Sequence, residues 1–112
     1  MWIFLAHAGF FSVVQRDGHP DQLVVRARDA DDLKRLKKLY LPTLGETIRL
    51  KGRDYPVRAY TTKEAFSSAL ALAVKAIEFT NFKAETARAI GAERAATYHE
   101  VWAILHHLEP RD

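Results

Sequence analysis

Cysteine is absent from the chain. Its absence excludes disulfide frameworks, thiolate zinc sites, Cys nucleophiles and thiol redox chemistry. Four prolines and five glycines are too few for a collagen-like or low-complexity chain. No apolar run approaches the roughly 20 residues that a membrane-spanning helix needs. The apolar opening Trp2-Ile3-Phe4-Leu5-Ala6 follows Met1 alone, without the positively charged start of a secretory signal. A glycine-rich phosphate loop, a nucleophile elbow and a His-Glu-x-x-His zinc motif are missing as well. These absences predict a cytosolic protein, off the membrane, with no catalytic residues, no metal and no cofactor.

What is present is enough for a core. The chain has 112 residues, 48% of them hydrophobic, which predicts a single domain over 1–112 that folds without staples. The formal charge is +3, and the excess sits in the first half. Residues 1–60 carry eleven Lys and Arg against seven Asp and Glu, while residues 61–112 carry six against seven. A basic half of this kind attracts polyanions.

Pattern along the chain divides it into elements. Trp2–Leu5 and Phe10–Gln15 are apolar, rich in aromatic and β-branched residues, and parted by a short segment ending in Gly9, which predicts a hairpin. Asp17-Gly18-His19-Pro20-Asp21 is a turn signal, and Leu23–Arg28 alternates as a third strand. Asp29 or Asp31 can cap a helix with Leu33, Leu36 and Leu39 on its apolar side, stopped by Pro42. Thr47–Lys51 and Tyr55–Thr61 predict a second hairpin. Thr61 and Glu64 fit a capping box for a helix that breaks at Thr80-Asn81. Residues 82–108 then read as a last helix with an irregularity at Gly91. The order β-β-β-α-β-β-α-α predicts a two-layer α+β fold. Its sheet would be antiparallel or mixed, of about five strands, with helices on one face.

Several stretches carry a resemblance: Gly9-Phe10-Phe11-Ser12-Val13-Val14, Leu23-Val24-Val25-Arg26-Ala27-Arg28, Asn81-Phe82-Lys83, and Glu93-Arg94 leading to Tyr98, Val101 and Trp102. Together they resemble a family of small bacterial proteins without an assigned function. The resemblance implies a bacterial, single-domain, cytosolic protein and brings no activity, cofactor or partner with it.

Three groups of residues are candidates for function. The first follows from strand alternation. If Leu23, Val25, Ala27, Ile48, Leu50, Tyr55, Val57 and Ala59 face the helices, the other sheet face carries Arg26, Arg28, Arg49, Lys51, Arg58 and Tyr60. Cations on neighbouring strands with an aromatic among them suit the phosphates and bases of RNA or DNA. The bland alternative is a solvated face balanced by nearby acids. The second group is Trp2, Phe4, Phe10 and Phe11. With no alternation, both faces of this hairpin need apolar cover, which predicts a homodimer interface or an intramolecular cover. The third is an anion pocket of Asn81, Lys83, Arg94 and His99, against which stands a simple helix-capping role for Asn81. An enzyme acting on a small anionic substrate would need these four to converge. The histidines His7, His19, His99, His106 and His107 lack metal-ligand spacing.

Overall fold

The structure is a computed structural model and describes residues 1–111. The elements in chain order are β1 (Trp2–Leu5), β2 (Gly9–Arg16), β3 (His19–Ala27), α1 (Ala30–Leu39), β4 (Ile48–Arg49), β5 (Val57–Thr62), α2 (Lys63–Lys75), α3 (Phe82–Ala89) and α4 (Ala92–Ile104). A 3-10 turn over Leu105–Leu108 follows. The chain forms two compact units, Met1–Glu78 and a second beginning at Phe79.

The first unit is an open five-stranded antiparallel sheet in the order β1-β2-β3-β5-β4, with α1 and α2 packed on one face, an α+β fold. Alternation decides what meets the helices. Phe11, Val13, Val25, Ala27, Val57 and Ala59 point into a core closed by Leu33 and Leu36 of α1 and by Phe66 and Ala69 of α2. Phe11, Val25, Ala27, Leu36 and Ala59 are completely buried there. Burial of this apolar surface is the main force holding helices to sheet, worth roughly 1.5–3 kcal/mol for each large side chain.

A polar clamp fixes α1 to the β1–β2 turn. Asp29 caps the helix, its carboxylate accepting from the Asp31 amide at 2.9 Å. Asp32 follows in the first turn and is 2% exposed. Its carboxylate accepts from the Phe10 amide at 3.0 Å and from Arg35 at 2.5 Å, while Arg35 Nε also donates to the Ala8 carbonyl at 2.9 Å. Gly9 sits at φ +134°, and a Cβ there would lie 2.2 Å from Asp32 Oδ2, so only glycine lets the turn approach the helix.

Both boundaries of α2 differ from the sequence reading. The α2 cap is Thr62, whose hydroxyl accepts from the Ala65 amide at 3.0 Å, and not Thr61. Thr61 is the last inward-facing residue of β5 and is buried, so its side chain is committed to the core before the helix begins. The helix stops at Lys75 with Ala76 as its C-cap, ahead of the expected break.

In the second unit, Asn81 caps α3 by accepting from the Ala84 amide at 2.8 Å. Gly91, at φ +144°, separates α3 from α4 and makes two helices of the expected single one. The Phe82 and Tyr98 rings stack at 5.9 Å between them. No helix among the described residues is long and apolar enough to cross a membrane.

Candidate functional site

The sheet face turned away from α1 and α2 collects the chemistry. Residues paired across antiparallel strands share a face. Trp2 pairs with Ser12 and Phe4 with Phe10; Ser12 pairs in turn with Arg26, Arg26 with Arg58, and Val24 with Tyr60. One continuous surface therefore holds Trp2, Phe4 and Phe10 on β1–β2, and Arg26, Arg58 and Tyr60 on β3–β5. The two sequence candidates, a basic face and an aromatic hairpin, are parts of one surface.

The aromatic part is a connected cluster. Phe4 and Phe10 stack at 4.6 Å, Trp2 meets Phe10 edge to face at 5.6 Å, and Tyr55 lies 6.5 Å from Phe10. Trp2 is 68% exposed, so its ring keeps a large free surface. The cationic part abuts it. The guanidinium carbons of Arg26 and Arg28 each lie 4.9 Å from the Tyr55 ring centre, and that of Arg16 lies 3.8 Å from Tyr60. Arg26 donates to the Ser12 hydroxyl at 2.7 Å, and Arg16 donates to the Gln22 amide oxygen at 2.8 Å.

Charge on this face is unbalanced. Among the described residues, Arg16, Arg26 and Arg58 form no ion pair with a carboxylate. Arg26 and Arg58 stand directly opposite one another across β3 and β5. Like charges in that relation destabilise a sheet.

The register corrects several expectations. Arg49 pairs with Val57 and so belongs to the helix-facing side, while Ile48 takes the place opposite Arg58. The physical reason is the brevity of β4, a two-residue strand whose register follows β5 and carries too few side chains to signal its own alternation. Lys51 lies in the loop beyond β4, not on a strand. Arg28 falls just past the end of β3 and donates to the Asp54 carbonyl at 2.7 Å. Arg28, Arg49 and Lys51 instead line a separate open pocket of about 510 Å³ with Asp29, Ala30, Pro56 and Val57. Tyr55 precedes Pro56 and the start of β5, so strand alternation does not govern it, and its ring reaches the arginine side. Phe11 is fully buried in the core and is unavailable as an interface residue.

Sequence reasoning missed Arg16 and Tyr55 as members of this surface. Alternation alone could not reveal the union, because the register shifts between Gln15 and Arg16, and an unbroken count across the β2–β3 hairpin would set Phe10 and Arg26 on opposite faces.

The Asn81, Lys83, Arg94 and His99 group is brought together only in part. Lys83 Nζ is 2.8 Å from His99 Nδ1 and 4.8 Å from the Trp102 ring centre. The Asn81 side chain is engaged as a helix cap, and Arg94 donates to the Tyr98 hydroxyl at 3.2 Å. Arg94 lines a different pocket with Ile90, Gly91, Ala92, Glu93 and Thr97. His7 Nδ1 lies 3.3 Å from the Tyr40 hydroxyl, and His106 pairs with Glu109. No group of three or more His, Asp or Glu side chains among the described residues is placed to hold a metal ion. No protein-family model matches the chain, and neither a curated protein nor a solved structure is similar enough to match it.

Proposed function

We propose that this protein is a cytosolic binding module for single-stranded nucleic acid, using the open sheet face. One observation carries the reading: Arg26 and Arg58 stand opposed without carboxylate partners, on the same face as the Trp2–Phe10–Phe4 aromatic cluster. A single strand offers phosphates for the guanidinium groups and unpaired bases for the rings. Guanidinium is suited to the first task because its planar fork meets phosphate oxygens in pairs. Trp2, the most exposed of the three rings, is the stacking platform for a base.

The test is fluorescence anisotropy of labelled oligouridine and oligothymidine at two salt concentrations. If about three phosphates are neutralised, affinity falls roughly twentyfold between about 50 and about 200 mM salt. Trp2→Ala removes a stacking contact of about 1 kcal/mol or more and leaves the salt slope unchanged. A flat salt response, or no retention of either oligonucleotide at low salt, rejects the reading.

A second reading has its own support. Trp2 and Val14 on this face are 68% and 41% exposed, and β1 is an edge strand with one side unpaired. An apolar edge of this kind suits pairing with a second copy of the chain. Light scattering separates the two, because a monomer at high protein concentration dismisses self-association and leaves nucleic-acid binding standing.

A further inference from the structure

Beside Tyr55 the open face dips into a pocket of about 320 Å³ lined by Arg26, Gly52, Arg53, Asp54, Tyr55 and Arg58. Two features set it apart from the rest of the basic surface. The Nε atoms of both Arg26 and Arg58 are buried and have no hydrogen-bond acceptor. The two residues are also direct cross-strand partners, so the sheet backbone roots both cationic side chains at one place on the same face. Asp54 lines the pocket but forms no ion pair with either arginine, while its backbone carbonyl accepts from Arg28.

Two like charges in register cost stability unless an anion lies between them. Burial of the Nε positions fixes the stems; one terminal nitrogen of Arg26 is taken by the Ser12 hydroxyl, and the remaining terminal nitrogens are the part of each guanidinium that can meet a ligand. A phosphate group fits that demand, since its oxygens accept several charge-assisted hydrogen bonds at once. We propose that Arg26 and Arg58 together hold one phosphate group in this pocket. That phosphate anchors the strand at β3–β5, from which the bases run across β2 towards Phe10 and Trp2. The inference rests on the nucleic-acid reading for the source of the phosphate, and its test uses inorganic phosphate alone.

Buried Nε–H protons are shielded from solvent exchange, so Arg26 and Arg58 supply their own NMR probes. Sodium phosphate titrated into the full chain should shift both Nε–H signals with a stoichiometry of one, and sodium chloride at equal ionic strength should not. Arg26→Gln and Arg58→Gln should each weaken phosphate binding about tenfold or more, while Lys37→Gln on the exposed side of α1 leaves it unchanged. Arg58→Lys guards against a folding defect: it keeps the charge, loses the two-pronged geometry, and should also weaken binding. Equal responses to phosphate and chloride, or arginine variants that bind like wild type, overturn the inference. Phosphate bound through both arginines without oligonucleotide binding upholds the anion site and removes the nucleic-acid reading. Oligonucleotide binding indifferent to Arg58→Lys removes the anchor and leaves the sheet-face reading intact.

Discussion

Asp32 and Gly9 show how single residues set the sheet against its first helix. The Asp32 carboxylate holds the Phe10 amide and the Arg35 guanidinium at once, and its side chain is 3% exposed. Removing one member of such a buried pair leaves the other uncompensated. Asp32→Ala should therefore cost about 3 kcal/mol in urea unfolding. Gly9→Ala should destabilise strongly too, since the new methyl group would overlap Asp32 and the backbone lies at positive φ. The two changes act on one contact, so the double variant should lose less than the sum of the singles. Additive losses would show that the close approach is not what makes Gly9 necessary.

Tyr40 carries a pH dependence of definite sign. Partial burial disfavours its phenolate and raises its pKa above the ordinary value. Ionisation is then harder in the folded than in the unfolded chain. The stability tied to Tyr40 is complete below about pH 10 and is lost as the pH rises through the higher folded value. Tyr40→Phe should lose less melting temperature than wild type between about pH 9 and about pH 11. Parallel losses over that window would assign the alkaline sensitivity to other groups.

At the scale of elements, the strand-to-helix junction at residues 61–62 separates capping from burial. Thr62 caps α2, so Thr62→Ala should cost about 1 kcal/mol. Thr61 hides a hydroxyl with no hydrogen-bond partner. Thr61→Val keeps the shape and removes that unmet group, so it should leave stability equal or raised. If Thr61→Val proves the more harmful of the two, Thr61 has a capping role after all. The sequence showed Thr61 and Glu64 at capping-box spacing, and Thr62 is shifted from that position by one residue. Spacing alone cannot tell which of two adjacent threonines turns inward, because the last pleat of β5 decides it. β4 makes the same point more sharply. With two residues it has no periodicity of its own, and its pairing with β5 reversed the expected sides of Ile48 and Arg49. The longer strands were legible: Val25 and Ala27 in β3, and Val57 and Ala59 in β5, turn to the core as their alternation predicts.

At the scale of the whole molecule, burial is unevenly shared between the two units. From Phe79 onward, Thr86 and Tyr98 are the buried side chains among the described residues, whereas the first unit holds the contiguous apolar core. Hydrogen exchange should therefore be slower at the Val25 and Ala59 amides than anywhere in α3 or α4. Equal protection in both units would mean that the chain opens as one cooperative body.

Composition and periodicity by themselves determined the fold class, the order of the strands and first two helices, and which side chains of the long strands are apolar. Those properties are local: they depend on residues a few positions apart and on the free energy of burying them. Tertiary structure alone decided that the aromatic hairpin and the arginines share a surface, that Arg26 faces Arg58, and that Tyr55 joins them while Arg49 does not. Such relations depend on register between strands distant in sequence, where a shift of one residue exchanges the two faces of the sheet.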